Sequence, residues 1–199
     1  MRLLHAISDD EMVAVFLQTE VTSTRFGPII LAILRHDGRD RRIIDQPNLS
    51  VADDNVYRRH VLGAYRGYRR DADVFTGVPD DVRWYGALAT QAELARVRYL
   101  KDAYWNELSG GSRLVLDAVA NIIQGVEPYG VSNAGLWSMA KALADGVSFP
   151  PLIVIGEDEH GPLVLLEGHA RLTAYFLCPD DMPATLPIIV GYAKGIVKL

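Results

Sequence analysis

Five consecutive residues, Glu167-Gly168-His169-Ala170-Arg171, bring a carboxylate, a glycine, an imidazole and a guanidinium into one short stretch. That set suits an oxyanion. A guanidinium grips phosphate through two parallel hydrogen bonds, and an imidazole adds another donor. Glycine takes backbone conformations closed to other residues and lets a ligand approach the main chain. Where it opens a helix, unpaired N–H groups and the positive end of the helix dipole favour phosphate in particular. Glu167 is the one carboxylate of the group. A competing reading needs no ligand: Glu167 and Arg171 stand four apart, the spacing of an ordinary ion pair at a helix start, and His169 is then a structural histidine.

The surrounding residues predict a scaffold for this turn. Leu163-Val164-Leu165-Leu166 reads as a buried strand leading into it, and Leu172, Tyr175 and Phe176 lie on one side of the helix that Gly168 opens. Upstream, Pro150-Pro151 forbids helix, Leu152-Ile153-Val154-Ile155 is a second strand, and the polar turn Glu157 to Gly161 joins the two as a hairpin with a long loop. Leu186-Pro187-Ile188-Ile189-Val190 supplies a final strand.

Before Phe149 the chain reads as largely helical. Ser8 with Asp9, Asp10 and Glu11 starts one helix. A second begins near Ser23 or Thr24 and ends at Asp37-Gly38, and Arg39 to Pro47 is a charged loop. Asp53 or Asp54 caps a third, through Tyr65. Val82 to Leu88 is a short strand or a loop. Thr90-Gln91-Ala92-Glu93 matches a capping box, followed by Leu94, Val97, Tyr99 and Leu100. Helices are expected over Arg113 to Gln124 and from Ser132 or Asn133 to Leu143. The predicted class is therefore α+β. A mainly helical region, 1–148, precedes a strand–turn–helix unit with a small mixed sheet, 149–199, in one compact domain.

Pro-x-Ile-Val on one strand, a turn, a second apolar strand, then an acidic residue with Gly-His-x-Arg-x-x-Ala resembles the ParB/sulfiredoxin-like superfamily. The resemblance covers about residues 149–190. Sulfiredoxin-type members carry a reactive Cys before His-Arg; here that position holds His169, and Cys178 lies about two helical turns later. Chromosome-segregation ParB proteins use Gly-Glu-Arg-Arg, of which Gly168 and Arg171 match. The closest pattern is the Asp-Gly-His-His-Arg of the free-serine kinases. This chain keeps Gly168, His169 and Arg171, has Glu167 for Asp, and has Ala170 for the second His. The resemblance implies a nucleotide such as ATP, ADP or CTP, with Mg, held at Gly168, His169, Ala170 and Arg171, and Glu167 as catalytic base of a small-molecule phosphotransferase. The alternative it implies is a non-catalytic regulatory or nucleic-acid-associated binding module.

Other features bound the reading. A net charge of −5 works against bulk attraction to nucleic acid or anionic lipid. Arg58, Arg59, Arg66, Arg69 and Arg70, interleaved with Tyr57, Tyr65 and Tyr68, have the make-up of a nucleic-acid face. The commoner outcome for such a run is a solvated helix face balanced by nearby carboxylates, here Asp53, Asp54, Asp71 and Asp73. Ser109-Gly110-Gly111-Ser112-Arg113 lacks the Lys and spacing of a P-loop and reads as a helix cap. His5, His36, His60 and His160 show no metal-ligand spacing, and Trp84, Trp105 and Trp137 read as core or core-edge residues. The single cysteine excludes an internal disulfide, and no leader is evident, which fits a cytoplasmic protein. The longest apolar stretch, Ile29 to Leu34, is far too short for a bilayer, so no membrane partner is expected.

Overall fold

A computed structural model describes residues 1–196. Its strands are β1 (Arg2–Ile7), β2 (Arg83–Thr90), β3 (Arg98–Tyr99), β4 (Leu152–Gly156), β5 (Val164–Glu167) and β6 (Thr185–Tyr192). Its helices are α1 (Asp9–Glu20), α2 (Gly27–His36), α3 (Arg42–Asp45), α4 (Ala52–Arg66), α5 (Gln91–Leu94), α6 (Ala103–Leu108), α7 (Val115–Ile123), α8 (Ala134–Ala144) and α9 (His169–Leu177). The class is α+β, around one mixed sheet of six strands in the order β1-β2-β6-β4-β5-β3.

The apolar runs near the C-terminal end become central strands because helices cover both faces of the sheet there. All five residues of β4 are buried, and successive side chains enter different cores. Leu152 and Val154 pack with α7, α8 and α9, while Ile153 and Ile155 pack with α1, α2 and α4. β4 runs antiparallel to β5, as the hairpin reading expects, and parallel to β6.

Three of the six strands come from residues before 149. Val82 to Leu88 resolves as strand: β2 pairs antiparallel with β6 along its whole length. β1 was not foreseen. It pairs antiparallel with β2 at the sheet edge, with a bulge at Leu4. The residues after the Thr90–Glu93 capping box do not extend a helix either. The box is present, but α5 stops after one turn. Val97 and Tyr99 are drawn into the core and Tyr99 pairs with Leu165 in a parallel β3–β5 ladder.

Helix starts follow local chemistry where a side chain can reach an N–H. Ser8 Oγ accepts from the Glu11 amide at 3.2 Å, as expected. α4 begins at Ala52, so Asp53 and Asp54 sit in its first turn rather than capping it. Part of the expected charged loop forms the short α3, where Ile44 is buried. Among the described residues no helix is long and apolar enough to cross a membrane.

Candidate functional site

The turn from β5 to α9 requires its glycine. Gly168 has φ +104°, and a Cβ there would lie 2.5 Å from Leu152 Cδ2 and 3.0 Å from an Arg171 guanidinium nitrogen. The first intrahelical bond of α9 runs from the Leu172 amide to the Gly168 carbonyl, 2.8 Å. The N–H groups of His169, Ala170 and Arg171 precede it, at the positive end of the helix dipole.

Arg171 does not reach outward from this helix end. It is 5% exposed. One terminal nitrogen donates to the Pro150 carbonyl at 2.7 Å and the Pro151 carbonyl at 3.2 Å. The other forms an ion pair with Glu167, itself largely buried. Burial pulls the guanidinium down to about 10, still far above neutrality, so it remains charged. Arg171 thus ties the start of β4 to the start of α9. Pro150 and Pro151 cannot continue a helix, and their carbonyls are two acceptors without a helical partner.

His169 faces a different set of neighbours. Its ring stacks with Trp105 at 5.2 Å and with Tyr99 at 5.7 Å between centroids. Nε2 accepts the Leu100 amide at 3.2 Å. A ring that accepts at Nε2 and is neutral carries its proton on Nδ1. Burial, with smaller contributions from guanidinium groups, lowers the imidazole from 6.5 to about 3. Among the described residues no hydrogen-bond partner engages Nδ1. Thr173 braces the same turn: its hydroxyl donates to the His169 carbonyl at 2.8 Å and meets Tyr99 Oη at 2.6 Å.

This predicts an acid-side signature. Between pH 6.5 and about 3 the unfolded chain takes up a proton at His169 that the folded chain does not. The depressed pKa therefore makes stability fall as pH falls through that window, by up to about 1.4 kcal/mol per pH unit. Urea unfolding across pH 3–7 should show this slope in the wild type and a shallower one in His169→Phe; parallel slopes would place the proton elsewhere.

The structure therefore brings Glu167 and Arg171 together, in the ion pair expected from their spacing, and directs His169 away to the Tyr99–Trp105 rings. Ala170 packs against the core beside them. Glu167, the one carboxylate of the turn, is ion-paired with Arg171. Among the described residues no three of His, Cys, Asp and Glu cluster as metal ligands. Tyr99, Leu100, Trp105 and Thr173 were missed as site residues. Only Thr173, one helical turn after His169, carried a local signal.

Most of the arginine run is engaged by partners within the chain, and two of its members, Arg58 and Arg66, are buried. Arg58 is 1% exposed and donates to the Ile43 carbonyl at 2.9 Å and the Asn48 carbonyl at 3.3 Å. Arg59 pairs with Asp10, Arg69 with Asp9, and Arg66 with Glu20 and Asp73. Tyr57, Tyr65 and Tyr68 donate to Asp37, Glu20 and Asp9. Arg69, although ion-paired, and Arg70 stay exposed. The expected result is no retention of duplex DNA or RNA at physiological salt. Tight binding that weakens steeply with added salt would overturn it, since released counterions drive such contacts. In the Ser109–Arg113 turn, Ser109 Oγ accepts the Arg113 amide at 2.9 Å and Arg113 Nε donates to the Tyr99 carbonyl at 2.8 Å.

No family model, no curated protein and no solved structure matches this chain.

Proposed function

We propose that the chain binds a phosphate-bearing small molecule, of the nucleotide class, at the turn between β5 and α9, and that it works as a binding module rather than a phosphotransferase. The observation that carries the reading is the left-handed Gly168 opening α9, with three first-turn N–H groups ahead of the first helical bond. His169 supports it as a neutral ring whose Nδ1 proton has no partner among the described residues. Anions are favoured at such a helix end even without a side-chain cation.

The same geometry favours binding over catalysis. A carboxylate held against a guanidinium is a weak base, and Glu167 is so held. Arg171 acts through the frame: by fixing Pro150 and Pro151 it sets the wall beside Gly168. Lys101, next in sequence to the Leu100 amide that holds His169, is exposed.

The test is a thermal-shift panel of ATP, ADP, CTP, GTP, phosphate and sulfate on wild type and His169→Phe. A ligand that binds the folded state raises the melting temperature by mass action. A nucleotide should shift the wild type, and His169→Phe should lose most of that shift while keeping its ring stacking. No shift with any anion, or an equal shift in both proteins, would remove the site from this turn.

A further inference from the structure

We infer that β1 is a self-association edge, on which a second copy of this chain adds its own β1 antiparallel to form one continuous sheet across a two-fold axis. This rests on the sheet edge and is independent of the ligand reading above.

β1 is unlike the other strands. Its residues Arg2 to Ala6 are all exposed, with Leu3 at 39% and Leu4 at 48%. A strand covered on neither face gains little from burial within its own chain. Among the described residues only β2 pairs with it, and the main-chain groups along its other side have no strand partner there. Edge strands are commonly guarded by lysine, proline or a covering element. Among the described residues the guard is a bulge at Leu4, and a bulge also pins register.

Charge selects the occupant. Arg2 stands at the start of the strand, and neither it nor Glu11, just past its end in α1, has an ion-pair partner among the described residues. Their neighbours Asp9 and Asp10 are already engaged by Arg69 and Arg59. The middle of Arg2–Ile7 falls between Leu4 and His5. An antiparallel pair about that point sets Arg2 of one copy beside Ile7 of the other, next to its Glu11. The contact occurs twice, once at each end. A strand with a positive start and a negative finish is complementary to itself when reversed, as a two-fold interface requires. In that register Leu3 of each copy lies opposite Ala6 of the other and Leu4 opposite His5, so the exposed leucines at the centre of the strand gain cross-strand neighbours.

Sedimentation equilibrium from nanomolar to high micromolar protein tests this. The wild type should show a monomer–dimer equilibrium that weakens with added salt. Arg2→Glu and Glu11→Lys should each weaken it at least about tenfold, because each change introduces like charges at both contacts. The double variant Arg2→Glu with Glu11→Lys should recover to near the wild-type constant. All four proteins should keep the same far-ultraviolet circular dichroism. A wild type that stays monomeric throughout overturns the proposal. So does a dimer indifferent to both single changes, or one that the double variant does not restore.

Discussion

Arg171→Ala is expected to lose about 3–5 kcal/mol of folding stability, read as a lowered urea midpoint with an unchanged slope. The loss exceeds that of an ordinary surface ion pair, which is worth at most about 1 kcal/mol. The difference lies in what stays behind. Glu167 is left as a buried carboxylate without its counter-charge, and the Pro150 carbonyl loses a 2.7 Å donor. Neutralising both partners, with Arg171→Met and Glu167→Leu together, should recover much of the loss, because two apolar side chains of similar size leave no charge uncompensated. If Arg171→Ala lost less than about 1 kcal/mol, the guanidinium would have to be free in solution, and a direct role on phosphate would return.

Gly168→Ala is the second large effect, expected at about 2–5 kcal/mol. Two independent terms add. A φ of +104° is strained for any residue with a Cβ, and that Cβ would meet Leu152 Cδ2 at 2.5 Å. The terms can be separated: Leu152→Val in the Gly168→Ala background removes the overlap and leaves the backbone strain. Partial recovery is the expected result. Full recovery would show that the backbone conformation carries no strain, and none would show that Leu152 is not the obstacle.

The part of the site legible in the sequence was the part made by neighbours in sequence. Strand β5, the glycine turn and α9 follow from a buried apolar run, a residue able to adopt positive φ, and a helical stripe. The Glu167–Arg171 spacing also announced its ion pair. The sequence did not disclose that Arg171 is taken up by the Pro150 and Pro151 carbonyls, twenty-one and twenty residues earlier. The arginine run misled for the same reason. Its local carboxylates Asp53, Asp54, Asp71 and Asp73 looked like the balancing charges, but only Asp73 pairs with an arginine of the run. Asp10 and Asp9, forty-nine and sixty residues from Arg59 and Arg69, do most of that work. β1 escaped because a strand exposed on both faces has no apolar alternation to read. β3 escaped because two residues hold no period at all.

The position of β6 has a consequence for how the chain comes to be folded during synthesis. It lies between β2 and β4, so the strand made last fills the middle of the sheet. Until residues 185–192 have emerged, the β1–β2 pair and the β4–β5–β3 group have no hydrogen-bonded link, and each presents an open edge where β6 will go. The nascent chain must therefore hold two half-sheets apart while helices already cover their faces. Closing them needs contacts between residues 83–90 and 185–192, a long-range step of the kind that slows folding. A ribosome-stalled chain ending before residue 185 should therefore be protease-sensitive at β2 and β4, and one extended well past residue 192 should be protected at both.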